Sequence, residues 1–499
     1  MAHQPANSTS FSSSSPTTSS FTTPSSVLIV GSGVFGLGTA YALTKRPSFS
    51  NTTITVVDRS TEPAVFPSPD ASSVDTSRII RADYADPAYA ALAAEAQVEW
   101  RKNGDNELGG QGRYSETGLV LVADKPPSPS AVGQTSASVG DLPPVQAQPS
   151  KKSGMDYVRA SWENVKDIAA KDPQLADSIS ELSGVEAIRG AVGTGGTSGS
   201  WGYINRSSGW ADAEKSMAWL YDRVKETGRV QFVNGTVTSL NTAGNAVTGV
   251  TVSTGQTLSA ELVIVATGAW TGALVDLSGQ ATATGQILAY MDITDAEQAQ
   301  LAKMPTLLNM TSGLFVITPS NNVLKVARHA YGYVNPTTTV TAPLRPPDAA
   351  TTATVSLPLT HLDDPALSIP VSGAAALRSA LREMVPLPGI PERPFSRTRL
   401  CWYTDTPSGD FLIDYHPHWR GLFVATGGSG HGFKFLPVLG EKIADCVEGQ
   451  CPPEFRTKWS WRETRGDAFQ GWDAVVTEDG SRGGEPGLIL QEELAKGAA

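Results

Sequence analysis

The sequence predicts an α/β protein, with a doubly wound, Rossmann-like domain built from separated segments and an α+β domain with a mixed sheet. Three observations carry this. First, Val27 to Val30 is an unbroken apolar run, as in a strand buried on both faces. Second, Gly31, Gly33 and Gly36 follow at once, then a helical pattern through Leu37, Ala40 and Leu43 and a strand ending at Asp58, which completes a βαβ unit. Third, the apolar run Ala260–Trp270 ends in a glycine turn, and 397–440 reads as a later return to the same sheet.

In chain order, residues 1–26 are mostly Ser, Thr and Pro, a composition expected to stay disordered. The Rossmann-like domain is expected from 27–90, 205–285 and 381–450, and the mixed-sheet domain from 91–204 and 286–380. Asp86 and Pro87 form a good helix start. The Pro-, Ser- and Gly-rich stretch 124–153 and a second stretch, 341–371, are expected to be flexible insertions, and 451–499 a C-terminal extension.

The chain has 499 residues, with 38 Lys and Arg against 49 Asp and Glu, a net charge of −11. That balance disfavours nucleic-acid binding, which draws its affinity from phosphate neutralisation. No run approaches the ~18 apolar residues of a membrane span. Three cysteines cannot form a disulfide framework, and Cys446 and Cys451 are too far apart for a CxxC metal pair. The first 26 residues lack an apolar signal-peptide core, and the ending "AKGAA" is not a peroxisomal address. A cytoplasmic monomer is the expectation.

The Gly31-x-Gly33-x-x-Gly36 pattern has a mechanism. The first glycine makes a tight turn, the second admits a pyrophosphate, and the third packs helix on strand. Asp58 could hold a ribose hydroxyl, although it stands 27 positions after Gly31, beyond the usual ~20. The pattern alone does not separate FAD from NAD. A cofactor domain assembled from distant returns favours FAD.

The chain resembles the monomeric sarcosine oxidase family of FAD-dependent amine oxidases, within it the fungal fructosyl-amino-acid and saccharopine oxidases. The likeness rests on "CWYTD" with "FLIDYHP" and "GGSGHGFKF", on "SRIIR", and on "LKVARHAYGYVNP". It implies FAD held by a thioether from Cys401. An apolar core leaves a thiol inert, so the polar and aromatic neighbours of Cys401 suit that role. It further implies cofactor contacts from Gly31, Gly33, Val34, Phe35, Gly36, Asp58, Arg59, Ser77, Arg78, Val237, Gly430, Phe433 and Lys434. Arg81 and Lys434 would clamp a substrate carboxylate, Arg81 through a planar fork that matches both oxygens. If helical, "SRIIR" sets Arg78 and Arg81 on neighbouring positions. Lys325 would promote reaction with dioxygen by stabilising developing negative charge. His329 is a pocket polar group in the same pattern.

One departure from the bacterial members is the Phe315-Val316-Ile317 neighbourhood and a shortened loop before Lys325. It implies a different pocket and argues against sarcosine itself. The expected activity is oxidation of a carboxylate-bearing secondary amine to an imine, then hydrolysis, with hydrogen peroxide as by-product. One rival is a flavoenzyme of secondary metabolism that traps the imine with a ring carbon. The other is a silent FAD- or NAD-binding module, against which Cys401, Lys325 and Arg81 all speak.

Overall fold

A computed structural model describes residues 21–60, 65–125, 152–339, 344, 353–462 and 477–497. Strand β1, Ser26–Val30, leads into helix α1, Val34–Lys45, and then strand β2, Thr53–Asp58. β1 lies inside a six-stranded sheet ordered Leu412–Tyr415, Leu422–Thr426, Leu262–Val265, β1, β2, Val230–Asn234. Its pairs are parallel except that of Leu412–Tyr415 with its neighbour. Alternation along β1 explains the unbroken apolar run. Val27 and Ile29 join a core with α1 and the helices Ala213–Glu226 and Leu439–Val447. Leu28 and Val30 join another with Val247, Val250 and Val252 of a three-stranded antiparallel sheet. Burying each such side chain stabilises the fold by roughly 1.5–3 kcal/mol.

A ten-stranded mixed sheet forms the second part of the molecule. Its long strand Thr282–Asp292 pairs antiparallel with Val323–Arg328 and with Arg397–Asp405. Ile287, Ala289 and Val326 pack against Leu377, Leu381 and Met384 of the helix Val371–Met384. Side chains alternate along strands, so Gln286, Leu288, Tyr290, Lys325, Ala327 and Cys401 share the other face. Asp86 caps the helix α2, Pro87–Trp100, as expected, accepting from the amides of Ala88 and Tyr89.

The boundaries differ from those expected in three places. Arg397–Asp405, assigned to the Rossmann-like domain, belongs to the large sheet, because its long pairing is with Thr282–Asp292. The extension 451–499 is no appendage: Leu488–Ile489 pairs with Tyr333–Val334. The stretch 341–371 is partly regular, since Ala353–Ser356 pairs with Pro336–Thr339. Thr354 and Val355 there are β-branched and suit a strand. Only the ends of 124–153 are described, and there Ser153 caps the helix Gly154–Lys171. Residues 1–20 of the expected tail lie outside the described residues.

Helix α1 crosses Leu439–Val447 glycine on glycine. A Cβ on Gly440 would lie 2.1 Å from the Gly38 carbonyl oxygen, whereas one on Gly38 would come no nearer to Gly440 than 3.4 Å. Gly440→Ala is therefore expected to cost about 1–3 kcal/mol. Gly38→Ala should stay within about 1 kcal/mol of wild type. Thermal unfolding of the two variants side by side checks this, and equal melting temperatures would refute the crossing.

Candidate active site

The nucleotide end is built around the turn after β1. Gly31 has φ +101°, and a Cβ on Gly36 would sit 1.9 Å from the Gly31 carbonyl oxygen, so α1 can settle on the turn only with glycine there. A Cβ on Gly33 would meet only the Ser73 hydroxyl, at 3.6 Å. That hydroxyl is buried and has no hydrogen-bond partner among the described residues. Open room at a helix N-terminus beside an unpaired donor fits a pyrophosphate. At the end of β2, Asp58 accepts from the amide and hydroxyl of Ser32 at 2.8 and 2.5 Å. Burial pushes its carboxyl up, against those hydrogen bonds. Arg59 pairs with Asp70 at 2.5 Å and lies over the Trp270 ring at 4.3 Å.

One cavity runs from this turn to the face of the large sheet. Gly31, Gly33, Val34, Phe35, Asp58, Arg59, Ser77, Arg78, Val237, Cys401, Gly430, Phe433 and Lys434 line it, together with Arg81, Lys325 and His329. Gly36 stands behind the turn and does not line the cavity.

The segment "SRIIR" is not helical. Arg78–Ile80 forms strand β3, paired with Gly209–Ala211, as two adjacent isoleucines favour. Arg78 and Arg81 therefore serve different ends of the cavity. Arg78 binds the buried carboxylate of Asp75, and its other amino group lies 3.4 Å from the Cys401 sulfur. Lys325 donates to the same carboxylate at 2.6 Å and to the Ser77 carbonyl at 2.8 Å. Tyr290 donates to it at 2.5 Å. Burial would raise the Asp75 carboxyl, but the charges of Lys325, Arg78 and Arg399 hold it far below the usual range. Burial lowers Lys325 to about 8, against the pull of Asp75 and with the push of Arg78.

At the other end, Arg81 donates to the Tyr157 hydroxyl at 3.3 Å, and its buried Nη1 has no partner among the described residues. Lys434 donates to the Tyr84 hydroxyl at 2.8 Å and to the His431 carbonyl at 3.0 Å. Burial, then the charge of Arg81, pulls Lys434 well below the ordinary lysine value. His431 Nε2 faces the Gly409 carbonyl at 2.7 Å, so that nitrogen carries the proton. Its Nδ1 then accepts from Tyr84, 3.0 Å away. Burial and the Arg482 guanidinium keep His329 neutral.

Sequence reasoning missed Asp75, Ser73, Tyr84, Tyr157 and Arg482. Asp75 stands three residues before Arg78, and a buried lysine needs an anion, so one was to be sought. Nothing local says which of 49 acidic residues supplies it. Arg482 lies in a segment without a recognised pattern.

Residues 26–446 match the family described as FAD dependent oxidoreductase. Amino acid oxidase imqH of Aspergillus flavus is 32% identical over 468 residues, covering 85% of this chain and 93% of the relative. L-saccharopine oxidase of Schizosaccharomyces pombe is 29% identical, covering 88% and 93%. The crystal structure of Amadoriase II, a deglycating fructosamine oxidase of Aspergillus fumigatus, superposes with a TM-score of 0.72 at 26% identity, covering 94% and 96%. The nucleotide cradle and the likeness over nearly the whole chain agree: the chain belongs to the FAD-dependent oxidoreductases.

Proposed function

We propose that this enzyme oxidises secondary amines bearing a carboxylate, that is N-substituted amino acids, with FAD as cofactor and dioxygen as final acceptor. The imine formed is hydrolysed, and hydrogen peroxide is released. The observation that carries this reading is the Nη1 of Arg81, without a partner among the described residues and buried beside Lys434, whose own hydrogen-bond partners are both neutral. Asp83 acts on both from nearby but forms an ion pair with neither among the described residues, so the two side chains suit a substrate carboxylate, which Arg81 can grip through its planar fork. Similarity to an amino acid oxidase and an L-saccharopine oxidase supports an amino acid as substrate.

Bound flavin supplies a two-electron acceptor for the C–H bond beside the amine nitrogen. The protein's part is placement. Arg81 and Lys434 hold the carboxylate, which can contribute several kcal/mol by fixing the reacting bond. The surrounding positive charge favours the neutral amine over the ammonium form. Cys401 is the covalent anchor of the cofactor in this reading. Its sulfur is buried on the cavity wall beside Arg78. Lys325 supplies positive charge where dioxygen gains electrons.

Denatured wild-type protein should stay yellow and Cys401→Ala should release its flavin. Flavin freed from denatured wild type would remove the covalent link. Arg81→Met should lower kcat/KM by roughly 10- to 100-fold for carboxylate-bearing amines. It should leave amines without a carboxylate nearly unaffected, and equal losses for both would remove the clamp. Lys325 is cationic below about 8 and neutral above. Oxygen uptake by the reduced enzyme should therefore fall as pH rises through about 8. Lys325→Met should be roughly 10²-fold slower and flat across that range. Coincident wild-type and variant profiles would remove the role.

A further inference from the structure

The chain's last described segment, 477–497, reaches the back of the cavity wall. Arg482 is buried there, with Nη2 donating to Asp405 at 2.6 Å and to the Ser429 carbonyl at 2.7 Å. Its Nη1 lies 2.5 Å from Nε2 and 2.8 Å from Nδ1 of His329. The backbone locks the pair in place. The amide of Gly483 donates to the His329 carbonyl at 3.3 Å, and that of Tyr331 to the Gly483 carbonyl at 3.1 Å. The guanidinium also lies 5.4 Å from the centre of the Tyr403 ring.

We propose that Arg482 is a positioning residue for amine oxidation, its guanidinium held against the His329 ring so that the imidazole cannot take the substrate's proton. The inference rests on the oxidase reading above. A guanidinium has only donors and a fixed positive charge, and Nη1 stands within 2.8 Å of both ring nitrogens, so a proton on either would set two cations in contact. His329 therefore offers the cavity no base, and the amine has to arrive already neutral. The charges around the ring agree. Arg81, Lys434 and His431 face it from their own segments, and Tyr403 lies 3.4 Å from Nδ1. The nearby anion, Asp405, is engaged by Arg482 and by the Thr284 hydroxyl at 2.6 Å.

The test is the imidazole titration of the holoenzyme by nitrogen-15 NMR. The chain has six histidines, and His329→Asn identifies the signal. Wild-type His329 should stay neutral well below the pH at which an ordinary imidazole takes a proton. In Arg482→Met its proton affinity should rise at least roughly tenfold, toward the ordinary value of about 6.5. Arg482→Lys, which keeps the charge opposite Asp405, should titrate as wild type. Flavin reduction in Arg482→Met should gain an ionisation that Arg482→Met with His329→Asn lacks. Should the Met variant fail to fold, Arg482→Gln is read by the same criterion. An unchanged titration in the neutral variant overturns the proposal. Failure to oxidise any secondary amine would instead overturn the functional reading, because the ring's titration needs no turnover.

Discussion

The carboxylate of Asp75 is the point on which the cavity wall hangs. It takes hydrogen bonds from Lys325, Arg78 and Tyr290, groups drawn from two strands of the large sheet and from β3. Breaking a buried charge cluster by removing one member typically costs about 3–5 kcal/mol. That cost keeps two cations together in a place where, without the anion, burial would tend to strip the lysine of its proton. Through Arg78 the same anion also sets the surroundings of the Cys401 sulfur.

Two devices hold Asp75 there. Strand register is one: Tyr290 stands opposite Lys325, and Gln286, four residues back on the same strand, stands opposite Cys401. Lysine and sulfur thus share a face by pairing alone, and a one-residue slip would turn either away. The other is Arg399, which donates to the carbonyls of Val74 and Ala71 at 2.6 and 2.9 Å. It ties the Asp75 loop to the strand that carries Cys401.

Much of this was legible in the sequence, and the reasons differ by element. The turn after β1 could be read because its glycines answer to local sterics and lie next to each other in the chain. Cys401, Lys325, Arg81 and Lys434 were legible only through motif likeness, since no periodicity marks a lone cation or thiol. The "SRIIR" segment was misjudged because a spacing of three was given a helical meaning, while two isoleucines favour an extended chain. Asp75 and Arg482 were out of reach. Asp75 has Arg78 three residues on, but the lysine it neutralises lies 250 residues away, and Arg482 stands 153 residues from His329; pairings at that distance leave no local trace.

Those separations bear on biosynthesis. Ribosomes deliver the dinucleotide turn hundreds of residues before Arg482, so the nascent polypeptide owns a cofactor cradle well before that guanidinium can reach the His329 ring. Such nonlocal closure makes assembly slow. A product cut short before residue 482 would carry the cradle and lack the guanidinium that stands against the His329 ring.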